Sequence, residues 1–135
     1  MQPKKTKYKK NHKPRKIPNQ STKLQSLGSK SYLRLVAIES SHLTGRQLEA
    51  TRQVIRRKLR RRGRLEIAVY PDLPITNKPT AARMGKGKGK ISHWVARIDA
   101  GKPVFVLTGI SFNEGLPALK SGAAKLPIKL KVYLD

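Results

Sequence analysis

The chain has 135 residues, of which 31 are Lys or Arg and 7 are Asp or Glu, a formal charge of +24. So many like charges oppose compaction unless a polyanion neutralises them, which points to nucleic acid and excludes most ordinary enzymes and secreted domains. The lack of Cys excludes a disulfide framework and any Cys-based zinc site. The longest apolar runs, such as Leu35 to Ile38 and Val104 to Leu107, fall far short of the ~20 residues that span a bilayer, so no membrane role is expected.

Charge is unevenly spread. Met1 to Ile38 holds 11 Lys or Arg and no acid. Pro3, Pro14 and Pro18 break the amphipathic helix that a targeting segment would need. Residues 1–30 therefore read as a basic RNA-binding arm, with Lys4, Lys5, Lys7, Lys9, Lys10, Lys13 and Arg15 set around Tyr8 and His12. Residues 31–135 read as a single α+β domain with a loop, 75–90, inserted in it.

Within that domain, 31–38 reads as an interior strand, because Leu33, Leu35 and Ala37 alternate with the mostly apolar Tyr32, Val36 and Ile38. Thr44 and Gln47 form a capping-box pair and Gly63 a stop, which predicts a helix over 44–62. Leu48, Thr51, Ile55 and Leu59 form its apolar stripe, and Arg46, Gln53, Arg57, Arg60 and Arg61 fall on the opposite side. Arg64 to Tyr70 alternates as a strand until Pro71 and Pro74 end it. Segments 91–99 and 103–110 read as an antiparallel hairpin around Ala100-Gly101-Lys102. Asn113 is placed to cap a second helix running to about Lys125, where Ala118, Ala123 and Ala124 permit close packing. Ile128 to Leu134 alternates as the last strand. The expected fold is two helices on a mainly antiparallel sheet.

The strongest local feature is the loop run Arg83-Met84-Gly85-Lys86-Gly87-Lys88-Gly89-Lys90. Glycines let backbone N–H groups approach an anion, and the lysines add point charges. Two nucleotide motifs fail on it. Walker A needs a Ser or Thr after Gly-Lys, the dinucleotide pattern needs G-x-x-G after its first G-x, and the run precedes a strand where those motifs open a helix. The second cationic feature is Arg56 to Arg62. Arginine forks match phosphate bidentately, and cations at a helix end also offset its dipole, which accounts for two or three of the six.

Catalysis finds no constellation. His12, His42 and His93 are isolated, and neither H-E-x-x-H nor G-x-S-x-G occurs. No enzyme activity, metal or cofactor is expected. His93 reads as a core or RNA-facing residue, and Trp94 as packing. A DNA-compacting architectural protein suits the charge as an alternative, but no heptad, helix-turn-helix or minor-groove wedge is visible.

Five blocks carry a family resemblance: Pro3-Lys4-Lys5-Thr6-Lys7-Tyr8-Lys9-Lys10 with His12-Lys13; Leu43 to Ala50; Tyr70 to Pro79; Arg83 to Gly89; and Ala123 to Lys129. In this order they resemble the large-subunit ribosomal protein family called L-sixteen in bacteria and organelles. The resemblance implies an α+β protein bound to large-subunit rRNA beside the aminoacyl-site tRNA, with neighbouring ribosomal proteins as further partners and no homo-oligomer. It makes Arg83, Lys86 and Lys88 candidates to approach tRNA or its rRNA cradle, and Lys5, Lys7, Lys9 and Lys10 candidates to thread rRNA. Segments 17–41 and 111–121 depart from the family pattern. The first departure looks like an organelle-encoded copy, so a mitochondrial ribosome is expected, with plastid or bacterial cytoplasm as alternatives.

Overall fold

A computed structural model describes residues 1–12, 32–85 and 87–134. Chain order is β1 (Tyr32–Ala37), β2 (Ser41–Thr44), α1 (Gly45–Lys58), β3 (Arg64–Ile67), β4 (Leu73–Asn77), β5 (Lys90–Ile98), β6 (Pro103–Thr108), α2 (Phe112–Ala123) and β7 (Leu130–Leu134). The α+β class is as expected. The strands, however, form two sheets, ordered β3-β6-β1-β7 and β2-β5-β4, with every pairing antiparallel.

The expected hairpin across Ala100-Gly101-Lys102 does not form, because β5 pairs with β2 and β4 while β6 pairs with β1 and β3. The turn itself exists, with Gly101 at φ 85. Its backbone is used by another strand: Gly101 N–H donates to Ala37 O at 2.7 Å, and Ala37 N–H donates to Lys102 O at 3.1 Å. The chain thus changes sheets at this turn, a switch that local alternation does not encode.

The interior strand is as expected, with Leu33 to Ala37 buried and Leu35 fully so. Ile38 is exposed and lies past its end. The stripe Leu48, Thr51, Ile55 and Leu59 is buried, and both halves of the Thr44–Gln47 capping box are made, at 2.9 and 3.3 Å. Thr44 also ends β2, a strand too short and polar to stand out in the sequence. The helix stops at Lys58, four residues before the expected end. There Arg60 and Arg61 take φ values of 48° and 63°, the left-handed region, at a cost of ~1–2 kcal/mol each for a residue with a Cβ.

The second helix starts after Ser111, not Asn113, and ends at Ala123, not Lys125. Its close packing comes from glycines as much as alanines. A Cβ on Gly115 would stand 2.2 Å from Leu33 Cδ1, and one on Gly122 would stand 2.5 Å from Ile55 Cγ1. Ala118 is buried beside them, whereas Ala124 is exposed. Thus α2 lies against β1 and β7 and also against α1. One cluster of buried side chains runs through both sheets, from Leu33, Leu35 and Phe105 to Leu43, Ala96 and Ile98.

The expected loop 75–90 shortens to 78–89, because Ile75 to Asn77 belong to β4 and Lys90 to β5. Asn77 pairs with Lys90 across the loop's base. The loop is therefore the long connection of a true hairpin, held at both ends by a ladder.

Candidate nucleic-acid interface

The base of the β4–β5 loop is set by close backbone approach. A Cβ on Gly89 would fall 2.3 Å from Asn77 O, so only glycine lets the returning chain pass there. Gly85 and Gly87, at φ 99 and 79, have open space around them and are demanded by conformation. Ala82 N–H donates to Pro79 O at 3.0 Å, turning the chain outward, and Lys78 Nζ reaches Gly85 O at 2.9 Å. Around this frame lies an open concavity of about 900 Å³ whose walls include Lys78, Arg83, Met84, Lys88 and Lys90. Met84 is 99% exposed at its tip.

The arm meets this loop. Lys10 Nζ donates to Lys88 O at 2.6 Å, and Lys88 Nζ donates to Asn11 O. The arm begins beside the first turn of α1, where Met1 O stands 3.0 Å from the position of a Cβ on Gly45. It therefore runs from α1 to the glycine-lysine loop. Lys4, Lys5, Lys7, Lys9 and Lys10 are all exposed along it, and Lys7 Nζ sits 5.4 Å from the Tyr8 ring centroid. A second groove, about 1010 Å³, lies between Met1, Arg46, Gln53, His93 and Trp94.

The remaining arginines stand elsewhere. Arg57, Arg60 and Arg61 are exposed at the far end of α1, roughly 20 Å along the helix axis from Arg46. Within the same run Arg56 Nη1 donates to Gly63 O, Lys58 Nζ to Ser121 Oγ and Arg62 Nη2 to Glu114 Oε1, at 2.8, 2.8 and 3.1 Å. Three of the six cations are thus structural, at the upper end of what the sequence allows.

Acidic groups are consumed internally. Among the described residues five of the six acids pair with a cation: Glu39 with Lys129, Glu49 with Arg52, Glu66 with Arg64, Asp72 with Arg97 and Glu114 with Arg62, at 2.6 to 3.2 Å. The Arg52 guanidinium hydrogen-bonded to Glu49 holds that carboxyl below its ordinary range; slight burial opposes this, and Gln53 reinforces it. The outward surplus is cationic. That surface suits a polyanion.

Of the expected site residues, the structure brings together Lys10, Arg83, Gly85, Gly87, Lys88, Gly89 and Lys90, and holds Arg46, Arg57, Arg60 and Arg61 on α1 and the turn after it. Lys13, Arg15 and Lys86 lie outside the described residues. Sequence reasoning missed Lys78, whose position between a strand end and Pro79 marks it as the base of the loop. His93 is exposed, and its ring lies 3.2 Å from the hydroxyl of its neighbour Ser92, so it is not a core residue. Trp94 is half-buried opposite Pro74, as expected of a packing residue.

Residues 3–133 match the family described as Ribosomal protein L16p/L10e. The chain is 42% identical over 132 residues to the large ribosomal subunit protein uL16 of Paracoccus denitrificans, covering 98% of this chain and 95% of that protein. It is 45% identical over 131 residues to the uL16 proteins of Bartonella bacilliformis and Bartonella henselae, covering 97% of this chain and 94% of theirs. The basic arm, the capped helix and the glycine-lysine loop all lie inside the matched span, and the chain belongs to the L16p/L10e family of ribosomal proteins, a structural component and not an enzyme.

Proposed function

We propose that this protein is a structural constituent of the large ribosomal subunit that binds large-subunit rRNA and helps shape the aminoacyl-tRNA site. The carrying observation is the junction of arm and loop, where Lys10 and Lys88 cross-bond beside Lys78, Arg83 and Lys90 with no acid among them. Phosphate backbone is the ligand this arrangement fits, since it supplies closely spaced anions along a path. Lys4, Lys5, Lys7, Lys9, Lys10, Lys13 and Arg15 follow rRNA, together with Arg46, Arg57, Arg60 and Arg61. Arg83 to Lys90 approaches tRNA or the rRNA that cradles it. Residues 1–30 act as the arm and 31–135 as one domain.

If about 8 phosphates are neutralised, affinity for duplex-like RNA falls with a log–log salt slope near −7. A flat salt titration overturns RNA binding. For the tRNA role, Lys86→Ala with Lys88→Ala leaves subunits assembled but weakens aminoacyl-site tRNA binding, and unchanged tRNA affinity overturns it.

The compartment we favour is the mitochondrial ribosome, on the divergence of 17–41. The bacterial relatives favour bacterial cytoplasm as the second reading. Fractionation of the source cell, following this chain by mass spectrometry, decides between them.

A further inference from the structure

The turn after α1 sorts its cations into two kinds. Arg56, Lys58 and Arg62 fasten the turn to Gly63, Ser121 and Glu114. The side chains of Arg57, Arg60 and Arg61 are exposed and make no hydrogen bond or ion pair within the described residues, while the backbone N–H groups of Arg60 and Arg61 close the helix end on Arg57 O and Arg56 O at 3.1 and 3.0 Å. Arg60 and Arg61 are also the only non-glycine residues with positive φ among the described residues, and they are consecutive.

Nearby Gly63 shows what folding alone selects. It too is left-handed, at φ 68, and a Cβ there would strike Ile110 Cγ1 at 2.3 Å, so packing and conformation both require glycine. At 60 and 61 conformation favours glycine or asparagine, and the exposed surroundings do not ask for a long side chain. Arginine stands there against the preference of the backbone. The three fastened cations tie the turn to α1 and α2 in this conformation.

We propose that Arg57, Arg60 and Arg61 form a phosphate-binding tip for A-form RNA, in which contact with adjacent phosphates offsets the backbone strain of Arg60 and Arg61. This rests on the RNA-binding reading above and deepens it, tying the rRNA contact of these three arginines to the left-handed backbone that carries two of them. A purely structural role predicts the opposite stability effect. If the two arginines serve only to offset the negative end of the α1 dipole, replacing them weakens the fold.

The test uses the full chain with Arg60→Gly/Arg61→Gly and with Arg60→Asn/Arg61→Asn. Thermal midpoints are measured without RNA, and binding to a short A-form RNA duplex is measured across a salt series. Both pairs are expected to raise the midpoint, by about 3–6 °C. Both should bind RNA about tenfold more weakly, with a salt slope shallower by about 2. Arg57→Ala, in regular helix, should weaken binding without raising the midpoint. A midpoint unchanged or lowered in the asparagine pair overturns the proposal, as does unchanged RNA affinity and slope while the parent chain binds. If the parent chain itself fails to bind, the RNA-binding reading falls, and this inference with it.

Discussion

Lys10 and Lys88 each donate to the other's stretch of backbone: Lys10 Nζ to Lys88 O at 2.6 Å, and Lys88 Nζ to the carbonyl of Asn11. Neutral carbonyls answer both ammonium groups in place of a carboxylate. Such a crossing leaves the charge of both lysines unneutralised.

The first prediction concerns this crossing. Removing residues 1–11 eliminates both bonds and frees the loop 78–89. Amide exchange in that loop should rise about 5- to 10-fold, as expected for losing roughly 1 kcal/mol of local protection, while exchange in β1 and β6 stays unchanged. Exchange followed by mass spectrometry reads both regions in one experiment.

Gly89→Ala separates loop geometry from loop charge. The added Cβ meets the backbone carbonyl of Asn77 at 2.3 Å, so the β4–β5 ladder must open at its outer end. Every lysine remains, yet RNA affinity should drop several-fold. The thermal midpoint should move by only a few degrees, because the core lies at the other end of the ladder. Affinity equal to that of the parent chain would show that the loop works by charge alone.

At the helix–helix contact, a Cβ on Gly122 would stand 2.5 and 2.7 Å from Ile55 Cγ1 and Cδ1 and 3.2 Å from Thr51 Cγ2. Both neighbours are β-branched and stiff at χ1. Gly122→Ala should therefore destabilise by about 1–3 kcal/mol despite alanine's better helix propensity. Adding Ile55→Val should recover part of that loss. Urea midpoints of the single and double variants measure it.

Acid titration of the Glu49–Arg52 pair gives a pH signature. Arg52 lowers the Glu49 pKa in the folded chain, so this contribution is present above the ordinary carboxylate range and is lost as pH falls through the folded value. The pair is about two-fifths exposed, which limits its worth. Near neutral pH, Glu49→Gln should be about 0.3–0.5 kcal/mol less stable than the parent. The gap should close as pH falls well below the ordinary carboxylate range. A gap that stays constant would assign the loss to the Gln53 contact or to packing.

Periodic elements were legible in the sequence because their signals are local. The Thr44–Gln47 box, the stripe from Leu48 to Leu59 and the alternation about Leu35 each fix themselves within a few residues. What escaped is set at a distance. Ala37 claims the backbone of Gly101 and Lys102, so the apparent hairpin divides between sheets. Arg60 and Arg61 take left-handed backbone that their side chains do not announce, so α1 ends early. The glycine-lysine segment was legible as a long basic loop from composition. Its crossing with the arm was not, since it joins positions 77 and 78 residues apart through backbone carbonyls, which any residue possesses.

The change of sheet at Asp99 to Lys102 bears on how the protein comes apart. Because that turn is stitched to the end of β1, a rupture in either sheet pulls on the same few peptide groups and is passed to the other. Neither layer can melt as a separate unit, and heating should give one cooperative transition whichever sheet carries the probe.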